Sequence, residues 1–347
     1  MTKTMFRTLL AVTLLGTAFP ALAQQGIPLH SAATVDPGSL ALHAAESYHK
    51  AARYPNDSQV LSYDAVDPNV VEMTSTPITV GQDQDGPLLA VWTSQTSFVV
   101  GSPIEIFAKA AGDKAGGVVL SGEIVGPADE AVAKLGFFDD GATADKVAAD
   151  GVFSASVRLA DKISTPELAE SYRVRVLATF ADGSVREAVT GFILSNPWST
   201  LTGRAKDRLE DGSLVISVEV DVERTGRFHL AGTLGQRRGG LIGTAQTAEV
   251  LEPGKHWVDL RFYGLMFHDR KARGPFVLES LQMRTTGAMP NAFNELAENV
   301  HIVRPLHLKS LAVGPYGNPE LLDAAQRLTD EAAAARAERA LPTTILD

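Results

Sequence analysis

Residues 213–223 read Ser-Leu-Val-Ile-Ser-Val-Glu-Val-Asp-Val-Glu, and this stretch decides the fold class. An apolar residue stands at every second position from Leu214 to Val222, and most positions between them are polar. A period of two places successive side chains on opposite faces of a strand, so the pattern predicts a β-strand with one buried face. Strands of this kind are typical of antiparallel sheets, in which one face packs on the core and the other meets water.

The same alternation recurs on both sides of this stretch. It continues at 227–234 after the turn at Thr225-Gly226, and it appears earlier at 151–159 and 172–178. The Asp182-Gly183 pair lies between two alternating runs, which is a hairpin signal. We therefore predict an all-β protein built from tandem antiparallel β-sandwiches.

Turn signals and composition divide the chain into five parts. About seven short strands in roughly 110 residues are typical of an immunoglobulin-like sandwich. The end of the chain is rich in good helix formers, with Asn318 as the predicted N-cap and Pro319 at the first helical position. The predicted parts are a signal peptide at 1–23, an N-terminal extension or strap at 24–75, an immunoglobulin-like sandwich at 76–196, a second jelly-roll or immunoglobulin-like sandwich at 197–312, and a C-terminal helical tail at 313–347.

Within the strap, a helix is predicted at 40–53, and the residues after it are expected to dock on the sandwiches. The apolar anchors expected to hold this second half are Tyr54, Val60, Leu61, Tyr63 and Val66. The alternative is a mobile arm that carries one short helix.

The first residues predict export. Lys3 and Arg7 precede an apolar run at 9–19, and Ala21-x-Ala23 follows as a small-residue cleavage pattern. The apolar run is too short for a membrane anchor, because a spanning helix needs about 20 apolar residues. We expect a periplasmic or secreted protein with no membrane span after cleavage at Ala23.

Composition excludes several classes of function. The chain has no cysteine, which removes disulfides, thiol catalysis and thiolate metal sites. Its formal net charge is −10 at pH 7, and an acidic protein is repelled by nucleic acid. The expected partner is therefore a protein or a glycan, without nucleic acid.

One loop carries a candidate metal site. The residues Asp139, Asp140, Asp145 and Asp150 fall between two apolar strand patterns, and two of the four precede a glycine. Calcium takes six to eight oxygen ligands, which clustered carboxylates in sharp turns can supply. The other interpretation is a structural Asp-rich turn, because Asp-Gly is ordinary turn chemistry. In both cases the expected role is architectural, with no cofactor beyond structural calcium.

Several motifs resemble a known family of exported bacterial proteins. The segment at 139–153 resembles a signature of bacterial immunoglobulin-like modules. The order of Gly226-Arg227-Phe228, Pro253-Gly254 and Gly274-Pro275-Phe276 is similar to the C-terminal sandwich of the domain of unknown function 4785 family. The run Ala51-Ala52-Arg53-Tyr54-Pro55 is similar to that family's N-terminal strap. The resemblance implies an envelope or secreted multi-sandwich protein and transfers no catalytic residue.

Catalytic constellations are missing from the sequence. It contains no Gly-x-Ser-x-Gly elbow and no His-Glu-x-x-His motif. Trp257 lies in an alternating strand and is expected in the core rather than as a sugar platform. We predict no catalytic residue and a non-enzymatic binding or scaffold module. The alternatives are a carbohydrate-directed hydrolase with an unlocated carboxylate pair, and a periplasmic chaperone or inhibitor that acts by strand addition.

A group of basic residues stands out against the acidic background. If their two loops lie at one end of the second sandwich, they form a rim that attracts an acidic glycan, lipopolysaccharide or an acidic protein. The alternative is a pair of unrelated solvated loops. The members of this basic rim are Arg237, Arg238, Arg270, Lys271 and Arg273.

Overall fold

The computed structural model describes residues 37–81, 87–112, 116–142, 144–287 and 292–340. The predicted signal peptide and the start of the strap lie outside these residues. Strands dominate the described part of the chain, and they form four sheets that pair into two successive sandwiches. The predicted fold class is therefore confirmed, whereas the predicted domain boundaries remain predictions.

The strap precedes both sandwiches. Its elements are α1 (Pro37–Ala51), β1 (Ser58–Val60) and α2 (Pro68–Met73). The predicted helix at 40–53 is thus present, shifted by about one turn.

The first sandwich contains nine strands. They are β2 (Ile78–Val80), β3 (Leu88–Thr93), β4 (Ser97–Val99), β5 (Ile104–Ala111), β6 (Val119–Val125), β7 (Ala131–Gly136), β8 (Val152–Val157), β9 (Ala169–Thr179) and β10 (Val185–Ser195). One sheet has the order β4-β10-β9-β6-β7 and the other β2-β3-β5-β8. Every pair is antiparallel except β4 beside β10. Alternate residues of β5 and β9, among them Ile106 and Val176, face each other in the core.

The second sandwich contains seven strands and a short helix. They are β11 (Ser199–Glu210), β12 (Ser213–Val222), β13 (Gly226–Gln236), β14 (Leu241–Leu251), β15 (Gly254–Tyr263), α3 (Leu265–Asp269), β16 (Phe276–Thr286) and β17 (Ala292–Ile302). β1 of the strap joins these strands, so that one sheet has the order β1-β14-β13-β16-β17 and the other β11-β12-β15.

Strand β12 is the stretch from which the fold was predicted. Its even-numbered residues from Leu214 to Val222 all lie in the hydrophobic core, as the alternation required. Its odd-numbered residues face outwards, yet Val215, Ser217 and Glu219 are also buried. The reason is that β12 is central, so long side chains from β11 and β15 cover its outer face.

The strap docks on the second sandwich. Tyr54 is buried in the core, and β1 pairs with β14. The Asn69 side chain, at the start of α2, donates hydrogen bonds to Ala231 O at 3.0 Å and to Ser280 Oγ at 2.9 Å. The anchor prediction is wrong for Val66, which is 68% exposed, whereas Tyr63, although 72% exposed, contacts the second sandwich through Arg270. Both follow β1 in a segment that has left the sheet.

The C-terminal segment returns to the strap through a 3-10 turn at Leu308–Ser310 and the helix α4 (Pro319–Ala340). The predicted cap is confirmed, because Asn318 Oδ1 accepts from Glu320 N at 3.1 Å and Leu321 N at 3.3 Å. Helix α4 packs along α1, with Ala325 and Ala332 buried on one face. Asn318 N also donates to Ala52 O at 2.9 Å, which joins the start of α4 to the end of α1.

Three backbone segments meet tightly below α3. Gly264, just before α3, lies against Gly212 in the turn between β11 and β12 and against Ala312. Ala312 N donates to Gly212 O at 2.8 Å, which fixes the C-terminal segment to this turn. A side chain at position 264 would overlap both backbones.

Candidate functional site

The Asp-rich loop joins β7 to β8. Phe138 pairs with Ser154 in an isolated antiparallel bridge, which closes the base of the loop. Carboxylate oxygens of Asp139, Asp145 and Asp150 lie within 4.8 Å of one another. The structure thus brings together three of the four predicted ligands. The fourth, Asp140, is outside this group, and its Oδ1 accepts from Ala142 N at 3.0 Å.

Backbone N–H groups organise the three carboxylates. Asp139 accepts from Asp150 N at 3.2 Å and Gly151 N at 3.0 Å. Asp145 is buried and accepts from Gly141 N at 2.6 Å and Val147 N at 3.0 Å. These donors hold the pKa of Asp145 below its ordinary value, because they stabilise the ionised carboxylate. The loop therefore presents negative oxygens in fixed positions.

This arrangement fits a hard cation better than a catalytic role. Each carboxylate oxygen can accept more than one interaction, so the three groups keep capacity for an ion. A cavity of about 150 Å³ lies beside the loop, and its lining includes Phe138, Asp140 and Ser154. Among the described residues that line this cavity, Asp140 is the one carboxylate, whereas glycoside hydrolysis uses a pair of acids.

The basic rim is assembled at one end of the second sandwich. Its two loops, 236–240 and 270–275, are joined where Arg237 N donates to Pro275 O at 3.0 Å and Arg273 N donates to Gln236 Oε1 at 2.6 Å. Arg237, Arg238, Lys271 and Arg273 are exposed. Within the described residues, no carboxylate lies within 4.0 Å of these four cationic groups.

The fifth member of the rim, Arg270, is not exposed like the other four. Arg270 is buried, stacks over the ring of Tyr63 at 3.6 Å and donates to Leu241 O at 2.8 Å. The neighbouring Asp269 turns to the strap, where it accepts from Arg53 at 3.0 Å and from Tyr54 Oη. The acidic residue closest in sequence is therefore paired away from the rim.

One contact between a histidine and an aspartate was not predicted from the sequence. His301 in β17 lies 2.7 Å from Asp207 Oδ1 in β11, and Arg304 Nε donates to Asp207 Oδ2 at 3.1 Å. Ninety-four residues separate the two partners of the first contact, so spacing could not reveal it. The sequence does contain one signal for this contact. Asp207 lies opposite the core residue Ile216, and an acid in such a position needs a hydrogen-bond partner.

The prediction for Trp257 is wrong. The ladder places it on the outer face of β15, because its neighbours Val258 and Leu260 point into the core. Trp257 is 39% exposed, with Lys206 Nζ 3.9 Å and the Arg204 guanidinium carbon 5.5 Å from its ring centroid. Alternation alone does not say which set of residues faces inwards when a large apolar residue stands in the polar set.

These features define a tandem antiparallel β-sandwich protein whose candidate groups lie on loops and on an outer sheet face. Residues 199–303 match the family model of the domain of unknown function (DUF4785) C-terminal domain. The match runs from β11 into the segment just after β17 and confirms the predicted resemblance to the DUF4785 family. It assigns no enzymatic activity.

Several solved structures are similar to parts of this chain. A DUF4785 family protein from Legionella pneumophila is 22% identical, with a TM-score of 0.45, over 62% of this chain and 58% of that protein. The match thus spans less than two thirds of the Legionella protein. The periplasmic chaperone SfaE is 12% identical with a TM-score of 0.21, over 62% of this chain and 100% of its own. CopC from Methylosinus trichosporium OB3b is 14% identical with a TM-score of 0.19, over 35% of this chain and 94% of its own.

No protein with a curated description matches the sequence. In the part of the chain that the structure describes, no helix is both long and apolar enough to cross a bilayer.

Proposed function

We propose that this protein is an exported, non-enzymatic binding module that docks to an acidic glycan through its basic rim, in the bacterial envelope or outside the cell. The observation that carries the proposal is the rim itself. Four exposed cationic side chains from two loops stand together without a carboxylate partner in the described residues.

The charge distribution supports this reading. The chain has a formal net charge of −10, so a separate cluster of positive charge creates a strong local contrast. Clustered like charges repel each other, and an anionic partner relieves that repulsion while it gains attraction. The hydrogen bonds between the two loops fix the spacing of the cations before a partner arrives.

Replacing three rim arginines by glutamine, in the variant R237Q/R238Q/R273Q, should weaken binding to dextran sulfate about tenfold at low salt. Each exposed charge is worth about 0.5 kcal/mol, and 1.4 kcal/mol corresponds to tenfold in affinity. Lys271 is left unchanged, because its backbone has a φ of 48° that favours few residues. Binding would be measured by titration at several salt concentrations.

The matched control R227Q/R327Q/R336Q removes the same charge from exposed positions outside the rim. It should change the affinity less than twofold. Equal losses in the two triple variants would contradict the proposal, since net charge alone would then account for binding. Tighter binding of polyglutamate than of dextran sulfate would indicate an acidic protein as partner.

We also propose that the Asp-rich loop binds calcium as a structural ion. An ion that binds only the folded state stabilises it, by about 2.7 kcal/mol at a concentration of 100 times its dissociation constant. Millimolar calcium should therefore raise the melting temperature by several degrees relative to a chelator. The variant Asp139→Asn should abolish the shift, whereas Asp140→Asn should keep it, because Asp140 is outside the carboxylate group. An equal melting temperature with calcium and with chelator would reject the ion.

A further inference from the structure

Strand β7 has one free edge. It is the last strand in the sheet order β4-β10-β9-β6-β7, so its one ladder partner is β6. Beyond Gly136 the chain leaves this sheet, and Phe138 exchanges two backbone hydrogen bonds with Ser154 of β8, at 3.0 and 2.8 Å. Backbone groups alternate between the two edges of a strand, so those of Lys134 and Gly136 point to the same side as those of Phe138. Among the described residues, no backbone group pairs with them on that side.

The edges of the other strands are covered or short. In the second sandwich, Tyr263 N of β15 donates to Ser58 Oγ of β1 at 2.8 Å, and Leu201 N of β11 donates to Glu295 Oε2 of β17 at 2.8 Å. Each side of that sandwich is therefore joined across its edge strands. In the first sandwich, β2 has three residues and β4 lies next to β17. The edges of β7 and β8 remain, and the bridge to Phe138 covers part of β8.

A cavity opens where β7 and β8 diverge. Its volume is about 150 Å³, and its lining includes Gly136 from β7, Ser156 from β8 and Asp140 from the loop between them. These three residues are exposed, and so is Phe138. The Phe138 ring lies over Gly136, because a Cβ built on Gly136 would be 3.4 Å from Phe138 Cε2. The cavity is therefore open to solvent and lies at the end of the free edge.

The charges beside this cavity favour a cationic ligand. The loop at 137–151 carries four carboxylates and a single lysine, Lys146. Asp140 Oδ1 accepts from Ala142 N at 3.0 Å, whereas its Oδ2 has no donor or cation partner in the part of the chain that the structure describes. Asp140 is also outside the three carboxylates proposed to hold calcium, so an ion there leaves it free. An ammonium group can therefore pair with Asp140.

The position of the cavity sets the direction of an added strand. β7 runs from Ala131 to Gly136, so a strand that pairs with it in antiparallel order begins beside Gly136. The terminal ammonium of that strand would then lie at the cavity, near Asp140. A parallel strand would instead end there and bring its terminal carboxylate to the acidic loop. Like charges brought together in an interface are unfavourable, so the antiparallel order is preferred.

A second copy of β7 fits this edge poorly. Two β7 strands that pair through their free edges over the whole strand are centred on Lys134, which places the two Lys134 side chains directly opposite each other. Like charges in directly opposite positions destabilise a strand pair, whereas opposite charges stabilise it. The strand that fits therefore comes from a different protein and carries an acid opposite Lys134. If its first residue lies opposite Gly136, this acid is its third residue.

We propose that the free edge of β7 binds the extended N-terminal segment of a partner protein as an added antiparallel strand. The terminal ammonium pairs with Asp140, the first side chain contacts Phe138, and an acidic third side chain pairs with Lys134. Backbone hydrogen bonds to the edge supply the affinity in this mode of binding, and alternate side chains supply the selectivity. The edge belongs to the first sandwich and the basic rim to the second, so this inference does not rest on the proposed glycan binding.

The test uses the synthetic peptide Val-Val-Glu-Val-Thr-Thr, labelled with a fluorophore at its C-terminus and titrated into the full chain at pH 7. The same peptide with an acetylated N-terminus controls for the ammonium. The free form should bind about fivefold more tightly, as expected for one exposed charge pair. Asp140→Asn should remove this difference. The matched variant Asp323→Asn, at an exposed position of α4, should keep it.

A second variant tests the backbone edge. Lys134→Pro removes one N–H from the free edge and keeps the ladder with β6, because this N–H points away from β6. It should weaken the binding of both peptide forms about tenfold or more, since the added strand loses a backbone hydrogen bond and an ion pair. Lys134→Gln keeps the N–H and should weaken binding by less than about threefold. The rim variant R237Q/R238Q/R273Q should retain full binding, which separates this proposal from the rim proposal.

Several results would overturn the proposal. One is no binding of the free peptide at millimolar concentration, and another is equal affinity of the free and acetylated forms. A third is unchanged binding in Lys134→Pro with a melting curve like that of the wild type. Dimerisation of the wild type that Lys134→Pro abolishes would make a second copy the occupant of the edge. The comparison between Asp140→Asn and Asp323→Asn does not depend on whether Lys134→Pro folds.

Discussion

Gly264→Ala should lower the free energy of unfolding by about 3 kcal/mol, the upper range for forcing an extra carbon into a packed site. The added methyl group would overlap Ala312 N and Gly212 O, which are backbone atoms. No rotamer change can make room, and the hydrogen bond between these two atoms lies across the same space. The methyl group would therefore separate the C-terminal segment from the turn before β12.

The backbone conformation makes this test clean. Gly264 has φ −57° and ψ −35°, which alanine adopts readily, so the loss would come from steric overlap alone. Gly314→Ala is the matched control, because no heavy atom lies within 4 Å of its added carbon. Urea denaturation of the two variants would measure the difference. Similar midpoints for both would contradict the packing described below α3.

Asp207→Ala should lower the free energy of unfolding by about 2 kcal/mol at pH 7, as expected when a buried carboxylate that accepts charge-assisted hydrogen bonds is removed. Asp207 is 8% exposed and accepts from His301 and Arg304. Burial acts to raise its pKa, but the hydrogen bonds from His301 and Arg304 and the charge of Arg304 outweigh it. The pKa of Asp207 therefore lies below its ordinary value.

The sign of this pKa shift predicts the pH dependence. Because the folded-state pKa is lowered, Asp207 contributes its full stability above the unfolded-state pKa of about 4. That contribution is lost as the pH falls through the lower folded-state pKa. The difference between wild type and Asp207→Ala should therefore be constant near neutrality and shrink below about pH 4.

Asp259→Ala provides the comparison with a carboxylate that is more exposed than Asp207. Asp259 pairs with Arg208 at 2.6 Å, but its side chain is 41% exposed. Solvent screens an exposed pair, so we expect a loss of about 1 kcal/mol or less. Chemical denaturation across the acidic range would measure both variants. A larger loss for Asp259→Ala than for Asp207→Ala would contradict the account.

The sequence was sufficient to predict the β-strands, because the alternation that indicates a strand lies within a few consecutive residues. Alternation in 213–223 places Leu214 and Ile216 on one face whatever the neighbouring strands do. The Asp-rich loop was also predictable, because Asp139, Asp145 and Asp150 lie within one turn-rich segment. Both signals depend on residues that are close in the chain.

Contacts between distant residues were not predictable in this way. Asp207 meets His301 because β11 lies beside β17 at the side of the sandwich, and no period in either strand records that neighbour. Tyr63 lies beside Arg270 for a similar reason, since the strap crosses the rim loop. The hydrophobicity of Trp257 could not show which face of β15 it occupies. The pairing of β15 with β12 fixes the face of each residue, whatever its type.

Helices α1 and α4 meet at one junction and run away from it together. The hydrogen bond from Asn318 N to Ala52 O marks that junction, and the helices extend about 22 Å and 33 Å from it. Tension applied at residues 37 and 340 would therefore separate the two helices one turn at a time, beginning at the end that lies farthest from the junction. The two sandwiches would carry no load until the last turn had parted.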